Sequence, residues 1–267
     1  MTKLSISRAW DESRVVLARD GKLIGTVALA FFVLPGVIIN AVMPNAHPTQ
    51  MPQPSPWMLL GLIPALIALV GQLSIVRLAM APHVSVGDAI AHAARRFLVF
   101  VGAWVAWAVP FFFVGSVLYA LVAKDPEHPS PAAALGLLAV TGVGMFLAVR
   151  LILISAVASA EPVGPLQVLR RSWDLTRGNW WRLFGFLLLC FVAAFVLLVA
   201  SQAVTTLLAK LLFSDVSPHS VGNLLVLIVG QLVTGAILVI LFVMLARIYV
   251  QLTGRVQAEP HVPNSGI

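Results

Sequence analysis

Charged residues are scarce in this chain, and the scarcity excludes whole classes of protein. Only 10% of the 267 residues are Asp, Glu, Lys or Arg, and 60% are hydrophobic. Soluble globular domains carry about 25% charged residues, so an ordinary soluble domain is excluded. One cysteine, Cys190, allows no internal disulfide, and no Cys or His cluster has metal-ligand spacing. We therefore expect neither a metal ion nor another cofactor.

Six long runs contain no Asp, Glu, Lys or Arg at all. Crossing the hydrocarbon of a bilayer takes about 20 apolar residues, so each run is long enough to span it. Backbone groups in lipid must be paired within their own segment, which makes each run a helix. The sequence predicts an all-α, polytopic membrane helical bundle with six transmembrane helices in three hairpins. The predicted spans are Leu23–Met43, Trp57–Val76, Phe97–Ala123, Ala132–Val149, Leu183–Ala209 and Val221–Ala246.

The absence of carboxylates from the spans also bears on function. Proton-coupled transporters usually carry an acidic relay inside the membrane, and intramembrane metalloproteases need a His-Glu ligand set. All six histidines lie outside the core of the spans, so a membrane-embedded serine nucleophile would have no base. We therefore expect no enzyme and no catalytic residue.

Basic residues are distributed unevenly between the two sides of these spans. All but two of the 17 Lys and Arg residues fall before the first span, after the last, or in alternate connections; the exceptions are Lys124 and Lys210. Basic residues near span ends stay on the cytoplasmic side during insertion, which predicts that both termini are cytoplasmic. The net charge of +7 then indicates anionic lipid headgroups as partners, and not nucleic acid.

The segments on the basic side are amphipathic. Along Leu166–Arg177 the charged residues share one helical face and the leucines share the other, and Val86–Phe97 has the same pattern. This is typical of helices that lie in the membrane interface on the cytoplasmic side. Ser85 and Asp88 have the spacing of a capping box, which predicts a helix start there. The pattern is weaker before the first span.

These elements recur in a period, which predicts one membrane domain over residues 1–255. The repeat-like units cover about residues 5–81, 85–160 and 163–255, and residues 256–267 are a flexible cytoplasmic tail. Each unit closes with an arginine near the end of a span, namely Arg77, Arg150 and Arg247. Membrane-edge charges are often functional, so these three are candidates for a shared cytoplasmic cavity. The alternative is that each side chain extends to the interface independently.

The most specific string is LRRSWDLTRGNWWRLFG, at Leu169–Gly185. Arginine forms bidentate hydrogen bonds to phosphate, and tryptophan prefers the depth of the headgroups. The string therefore predicts a lipid-headgroup site, with generic anchoring as the alternative. The candidate residues, called the headgroup belt below, are Arg170, Arg171, Trp173, Arg177, Trp180, Trp181 and Arg182.

This string, leading into a span, resembles the membrane domain associated with bacterial glycerophosphoryl diester phosphodiesterases and with related stand-alone six-span proteins. The six-span layout extends the resemblance over about residues 5–255. In that family the phosphodiesterase chemistry belongs to a separate soluble domain, for which this chain has no room. The resemblance therefore implies an accessory module of the bacterial cytoplasmic membrane.

Two functions follow as hypotheses. The first is a non-enzymatic module that binds or organises anionic lipid, or that scaffolds a membrane protein partner. The second is a permease or channel-like transporter of a small or amphiphilic solute. Pro35, Pro64 and Pro110 interrupt the first three spans, and broken helices form substrate sites in many transporters.

Overall fold

The computed structural model describes residues 4–42, 56–123, 131–213, 217 and 220–254. Within these ranges the chain is helical, and six of its helical stretches are long and apolar enough to cross a membrane. The predicted all-α, six-span class is confirmed. The predicted tail and most of the connections opposite the basic residues lie outside the described residues. The helices are α1 (Ile6–Ala28), α2 (Leu34–Val42), α3 (Pro56–Met80), α4 (Val86–Ala123), α5 (Pro131–Arg150), α6 (Ile154–Ala160), α7 (Pro165–Thr176), α8 (Trp180–Phe213) and α9 (Val221–Thr253).

Two of the three amphipathic segments are continuous with the spans that follow them. The first spanning stretch runs over Ile6–Ala41, and the third over Val86–Leu121. Ser85 Oγ accepts from the backbone N–H of Asp88 at 3.1 Å and donates to the Asp88 carboxylate at 2.6 Å, so Ser85 caps α4 at the predicted start. The third segment is a separate helix, α7. It ends at Thr176, because Gly178 takes a left-handed conformation with φ of 84°.

Span 1 contains one irregular turn, a π-helical stretch at Leu29–Val33 that joins α1 to α2. Pro35 lies two residues after its end, and proline has no N–H to donate to the carbonyl four residues earlier. A wider turn at this point accommodates the missing bond. It also brings Phe31 and Phe32 against α3 and α9, where the Phe32 and Phe242 rings lie 5.9 Å apart.

The helices of each predicted hairpin pack against each other, and α3 and α9 lie at the centre of the bundle. The buried core lies toward one end, called the basic end below, where Arg77, Arg96, Arg150 and Arg247 lie. Leu73, Val157 and Val243 are fully buried there. At the opposite end the apolar side chains of Leu135 and Leu211 are exposed, as expected of surface that faces lipid.

Close approach of the π-helical stretch Leu29–Val33 and α3 depends on Gly71. A methyl group on this residue would lie 2.5 Å from Phe31 Cβ, an atom too near the backbone to move aside. We expect Gly71→Ala to lower the free energy of unfolding by about 1–3 kcal/mol through overpacking. Thermal unfolding in detergent measures the effect. Gly142→Ala is the matched control, because no atom lies within 4 Å of its added methyl group; equal losses in both variants would contradict the argument.

Candidate functional site

The site of interest forms where α5 ends and α7 crosses it at the basic end. The carbonyl oxygen of Arg150 accepts from Ser172 Oγ at 3.0 Å and from Thr176 Oγ1 at 3.2 Å. These hydroxyls replace the backbone N–H that would continue the helix, and α5 accordingly ends at Arg150. The chain turns through residues 151–153 before α6 begins. The same two hydrogen bonds fix α7 against the end of span 4.

An aromatic cluster fills the angle between α5, α7 and the start of α8. Trp180 is central: its ring stacks on Phe184 with centroids 5.1 Å apart, on Phe146 at 5.7 Å, and meets Trp181 edge-on at 4.6 Å. Trp173 contacts Phe146 edge-on at 5.8 Å. Contacts of this kind contribute about 0.5–1.5 kcal/mol per pair beyond burial. Three tryptophans of the predicted headgroup belt therefore belong to one packed cluster.

The guanidinium group of Arg150 lies over two rings of this cluster. Its Cζ is 4.9 Å from the centroid of Trp173 and 5.2 Å from that of Phe146. Its Nε and Nη1 are buried and have no hydrogen-bond partner. Among the described residues the side chain of Arg150 has no carboxylate partner either. Within the described part of the chain, the contacts that hold this cation are the two aromatic rings.

A cavity of about 330 Å³ lies beside Trp173, between α7 and the turn that follows α5. It combines apolar walls with one basic and one acidic side chain, Arg170 and Asp174. Trp173 lines this cavity, and its ring also contacts Arg150, which does not line it. The lining residues are Leu151, Leu169, Arg170, Trp173 and Asp174.

The remaining arginines of the headgroup belt differ in their partners. Arg171 Nε donates to Glu161 Oε1 at 3.1 Å, and Arg182 Nη1 donates to the carbonyl of Leu4 at 3.1 Å. Arg170 and Arg177 are exposed and bond to no residue that the structure describes. The belt therefore contains two arginines that hold the fold and two that are available to a ligand.

The three closing arginines have different surroundings. Arg247 forms an ion pair with Glu12 of α1 at 2.9 Å, while Arg150 lies on the aromatic cluster. Arg77 is half-buried in the last turn of α3. The structure thus assigns a role to Arg247 as the link between α1 and α9. A cavity shared by the three arginines stays a prediction.

The residues that hold the connection between α6 and α7 by hydrogen bonds were not predicted from the sequence. Arg96 Nε donates to the carbonyl of Ala158 at 2.8 Å, and its Nη2 donates to the carbonyls of Glu161 and Val163. His92 Nε2 lies 2.8 Å from the carbonyl oxygen of Ser159. Basic side chains at the carbonyl end of a helix satisfy its unpaired acceptors. The only signal in the sequence was the spacing of four residues, which places both on one face of α4.

Glu161 was also missed, although it joins three parts of the basic end. It lies in the connection itself, and its Oε1 accepts from Arg171 on α7 and from the hydroxyl of Tyr249 on α9 at 2.8 Å. The packing of the site therefore depends on contacts between residues far apart in sequence.

Six long apolar helices and a basic, aromatic end define the chain as an integral, multi-pass helical membrane protein. The chain belongs to the family described as "Domain of unknown function (DUF7847)", which matches residues 4–252. No curated protein and no solved structure matches it. The resemblance to membrane domains of glycerophosphoryl diester phosphodiesterases stays a prediction.

Proposed function

We propose that this protein is a non-enzymatic module of the bacterial cytoplasmic membrane that binds anionic phospholipid at its basic end. Both termini are placed in the cytoplasm in this proposal, on the strength of the distribution of Lys and Arg. The observation that carries the proposal is the surface formed by α7 and the start of α8, where Arg170 and Arg177 are exposed, without a partner among the described residues, beside an exposed Trp181.

The chemistry of this surface suits a headgroup. Trp181 is 77% exposed although its ring meets those of Trp180 and Phe184 edge-on, so much of its surface is available at the membrane interface. Free arginines at that depth attract anionic lipid with about 1 kcal/mol each. Lipids collected there, or a membrane protein partner that shares them, would be organised around α7.

The test is the composition of the lipid shell. The chain is extracted from membranes of phosphatidylglycerol and phosphatidylcholine into polymer nanodiscs, and the retained lipids are quantified. We expect Arg177→Ala to lower the enrichment of phosphatidylglycerol up to about fivefold, the factor that corresponds to one basic residue near the surface. Arg14→Ala is the control, since Arg14 is also exposed at the basic end but lies on α1. Equal effects of the two variants would mean that the headgroup belt provides only generic anchoring and does not bind headgroups specifically.

Transport of a small or amphiphilic solute is the second candidate function. The π turn at Leu29–Val33 favours it, because such turns inside α-helices often mark functional sites. Solute flux through proteoliposomes of the purified chain separates the two functions, since a lipid-binding module gives none.

A further inference from the structure

The cavity beside Trp173 lies at the boundary between the two faces of α7. Leu169 and Trp173, four residues apart, line it with apolar surface, and Arg170 and Asp174, each one position later, line it with charge. Residues four apart share a helical face, so an apolar stripe and a charged stripe meet along the cavity. In the membrane position proposed above, the boundary of an amphipathic helix lies next to the headgroups.

The two charged side chains of the cavity are not paired with each other. Opposite charges four residues apart on a helix can form an ion pair. Arg170 and Asp174 take part in none of the ion pairs between described residues, although both line the same cavity and both are exposed. Their order explains this in part, because a helix favours the acidic residue of such a pair on the N-terminal side. A positive and a negative group are therefore both available to one ligand.

The cavity is held open by the packing of α7 on the end of α5. Ser172 and Thr176, on the buried face of α7, both donate to the carbonyl oxygen of Arg150. Leu151, which lines the cavity, is the next residue and is itself buried. The volume of about 330 Å³ falls within the range of about 300–1,000 Å³ that is usual for small-molecule sites. Walls that are fixed before binding lower the entropic cost of holding a ligand.

The ligand that complements these walls carries a negative and a positive group close together, next to an apolar part. A phosphodiester suits the guanidinium group of Arg170, because it accepts two parallel hydrogen bonds from the planar fork. A primary ammonium group suits the carboxylate of Asp174, because it has three N–H donors and no acceptor. The headgroup of phosphatidylethanolamine contains both groups. Phosphatidylcholine contains the same phosphodiester, but its trimethylammonium group has no N–H to donate.

We infer that this cavity is a binding site for the headgroup of one zwitterionic phospholipid, phosphatidylethanolamine. Arg170 binds the phosphate and Asp174 binds the ammonium group. Leu151, Leu169 and Trp173 contact the apolar part that adjoins the headgroup.

The site divides the headgroup belt into two parts with different ligands. Arg177 does not line the cavity and attracts anionic lipid, as proposed above. Inside the cavity Asp174 balances the charge of Arg170 and repels a headgroup with net negative charge. The inference shares with the proposed function the position of α7 at the headgroups, and goes beyond it in the ligand and in its stoichiometry.

The test is a competition between two lipids with identical acyl chains, read by native mass spectrometry of the full chain released from detergent. Phosphatidylethanolamine and phosphatidylcholine are added at equal concentration. We expect the wild-type chain to retain one phosphatidylethanolamine in preference to phosphatidylcholine by up to about fivefold, the factor that corresponds to one exposed ion pair. Asp174→Asn should lose this preference. Arg170→Gln should retain less of both lipids, because both contain the phosphate.

Arg177→Ala is the matched control, because Arg177 is also exposed on α7 but does not line the cavity. It should keep the preference for phosphatidylethanolamine and lose enrichment of phosphatidylglycerol in nanodiscs. All three variants change exposed side chains, so their Tm in detergent should lie within about 2 °C of the wild-type value. Loss of lipid in the two cavity variants is then not a loss of fold.

Three results would overturn the site. The first is equal retention of the two lipids by the wild-type chain, or a preference for phosphatidylethanolamine that survives Asp174→Asn. The second is stronger retention of phosphatidylglycerol than of phosphatidylethanolamine, with both lost in Arg170→Gln, which would assign Arg170 to the anionic surface. The third is displacement of phosphatidylethanolamine by an equal concentration of free O-phosphoethanolamine, which would make the ligand a soluble solute.

Failure of the site is distinguishable from failure of the proposed function. Enrichment of phosphatidylglycerol that depends on Arg177, without any preference for phosphatidylethanolamine, rejects the cavity site alone. A preference for phosphatidylethanolamine that depends on Asp174, without any enrichment of phosphatidylglycerol, rejects the proposed binding of anionic lipid alone.

Discussion

A Gln50→Cys variant is expected to react with a membrane-impermeant maleimide in intact cells, and an Arg177→Cys variant is not. The physical reason is the retention of Lys and Arg on the cytoplasmic side, from which we predict that the connection around Gln50 is outside and α7 inside. Both variants are made in a chain that carries Cys190→Ser, so that no native thiol contributes. Labelling of the full-length protein is read on a gel.

Permeabilised cells supply the control for this experiment. There both introduced thiols should react, which shows that Arg177→Cys is protected by the membrane and not by the fold; Arg177 is exposed in the structure. The reverse pattern in intact cells would place both termini outside and would remove the cytoplasmic assignment of the headgroup belt. The effect is close to all-or-none, because a charged reagent does not cross the bilayer.

The second large effect is expected at Arg96. Its guanidinium group bonds three backbone carbonyls between Ala158 and Val163, and no other side chain of the described residues bonds those three. A hydrogen bond from a charged donor contributes about 1.5–3 kcal/mol, and carbonyls left unpaired inside the protein cost more. Arg96→Ala should therefore lower the free energy of unfolding by about 2–4 kcal/mol, measured by denaturant titration in detergent micelles.

Arg95 provides the matched control for Arg96. It is the neighbouring residue on α4, is exposed, and bonds to no described residue. Its replacement by alanine should change the stability by less than about 0.5 kcal/mol, as is usual for surface substitutions. Similar losses for Arg95→Ala and Arg96→Ala would show that helix α4, and not the bonds to the α6–α7 connection, responds to the change.

Periodicity and length were enough to predict the six spans, the helix start at Ser85 and the helix at Leu166–Arg177. They could not show that the amphipathic segment before Phe97 continues into its span. A helix presents the same residues on one face whether it lies in the interface or enters the membrane. Gly178 was the one local signal that α7 is separate, because it supplies the left-handed residue at which the helix ends.

The candidate site was only partly predictable, for a reason of distance along the chain. The string Leu169–Gly185 contains the tryptophans and arginines, and these do meet at the basic end. The string does not contain Arg150, which joins the same cluster: its carbonyl bonds a hydroxyl 22 residues away and its side chain lies on Trp173. The hydrogen bonds of Arg96 join residues more than 60 positions apart in the sequence. No local sequence pattern predicts partners that lie so far apart along the chain.

The ion pair of Glu12 with Arg247 joins residues 235 positions apart, and α1 packs along α9. Helix α1 thus leaves the ribosome well before α9, along which it packs in the folded bundle. At about 5–20 residues per second, span 1 waits on the order of ten seconds or more before that neighbour is synthesised. During this interval the ion pair of Glu12 with Arg247 cannot form, whereas that with Arg8, four residues earlier on the same helix, can. We therefore expect the packing of α1 along α9 to be a late step in the assembly of the bundle.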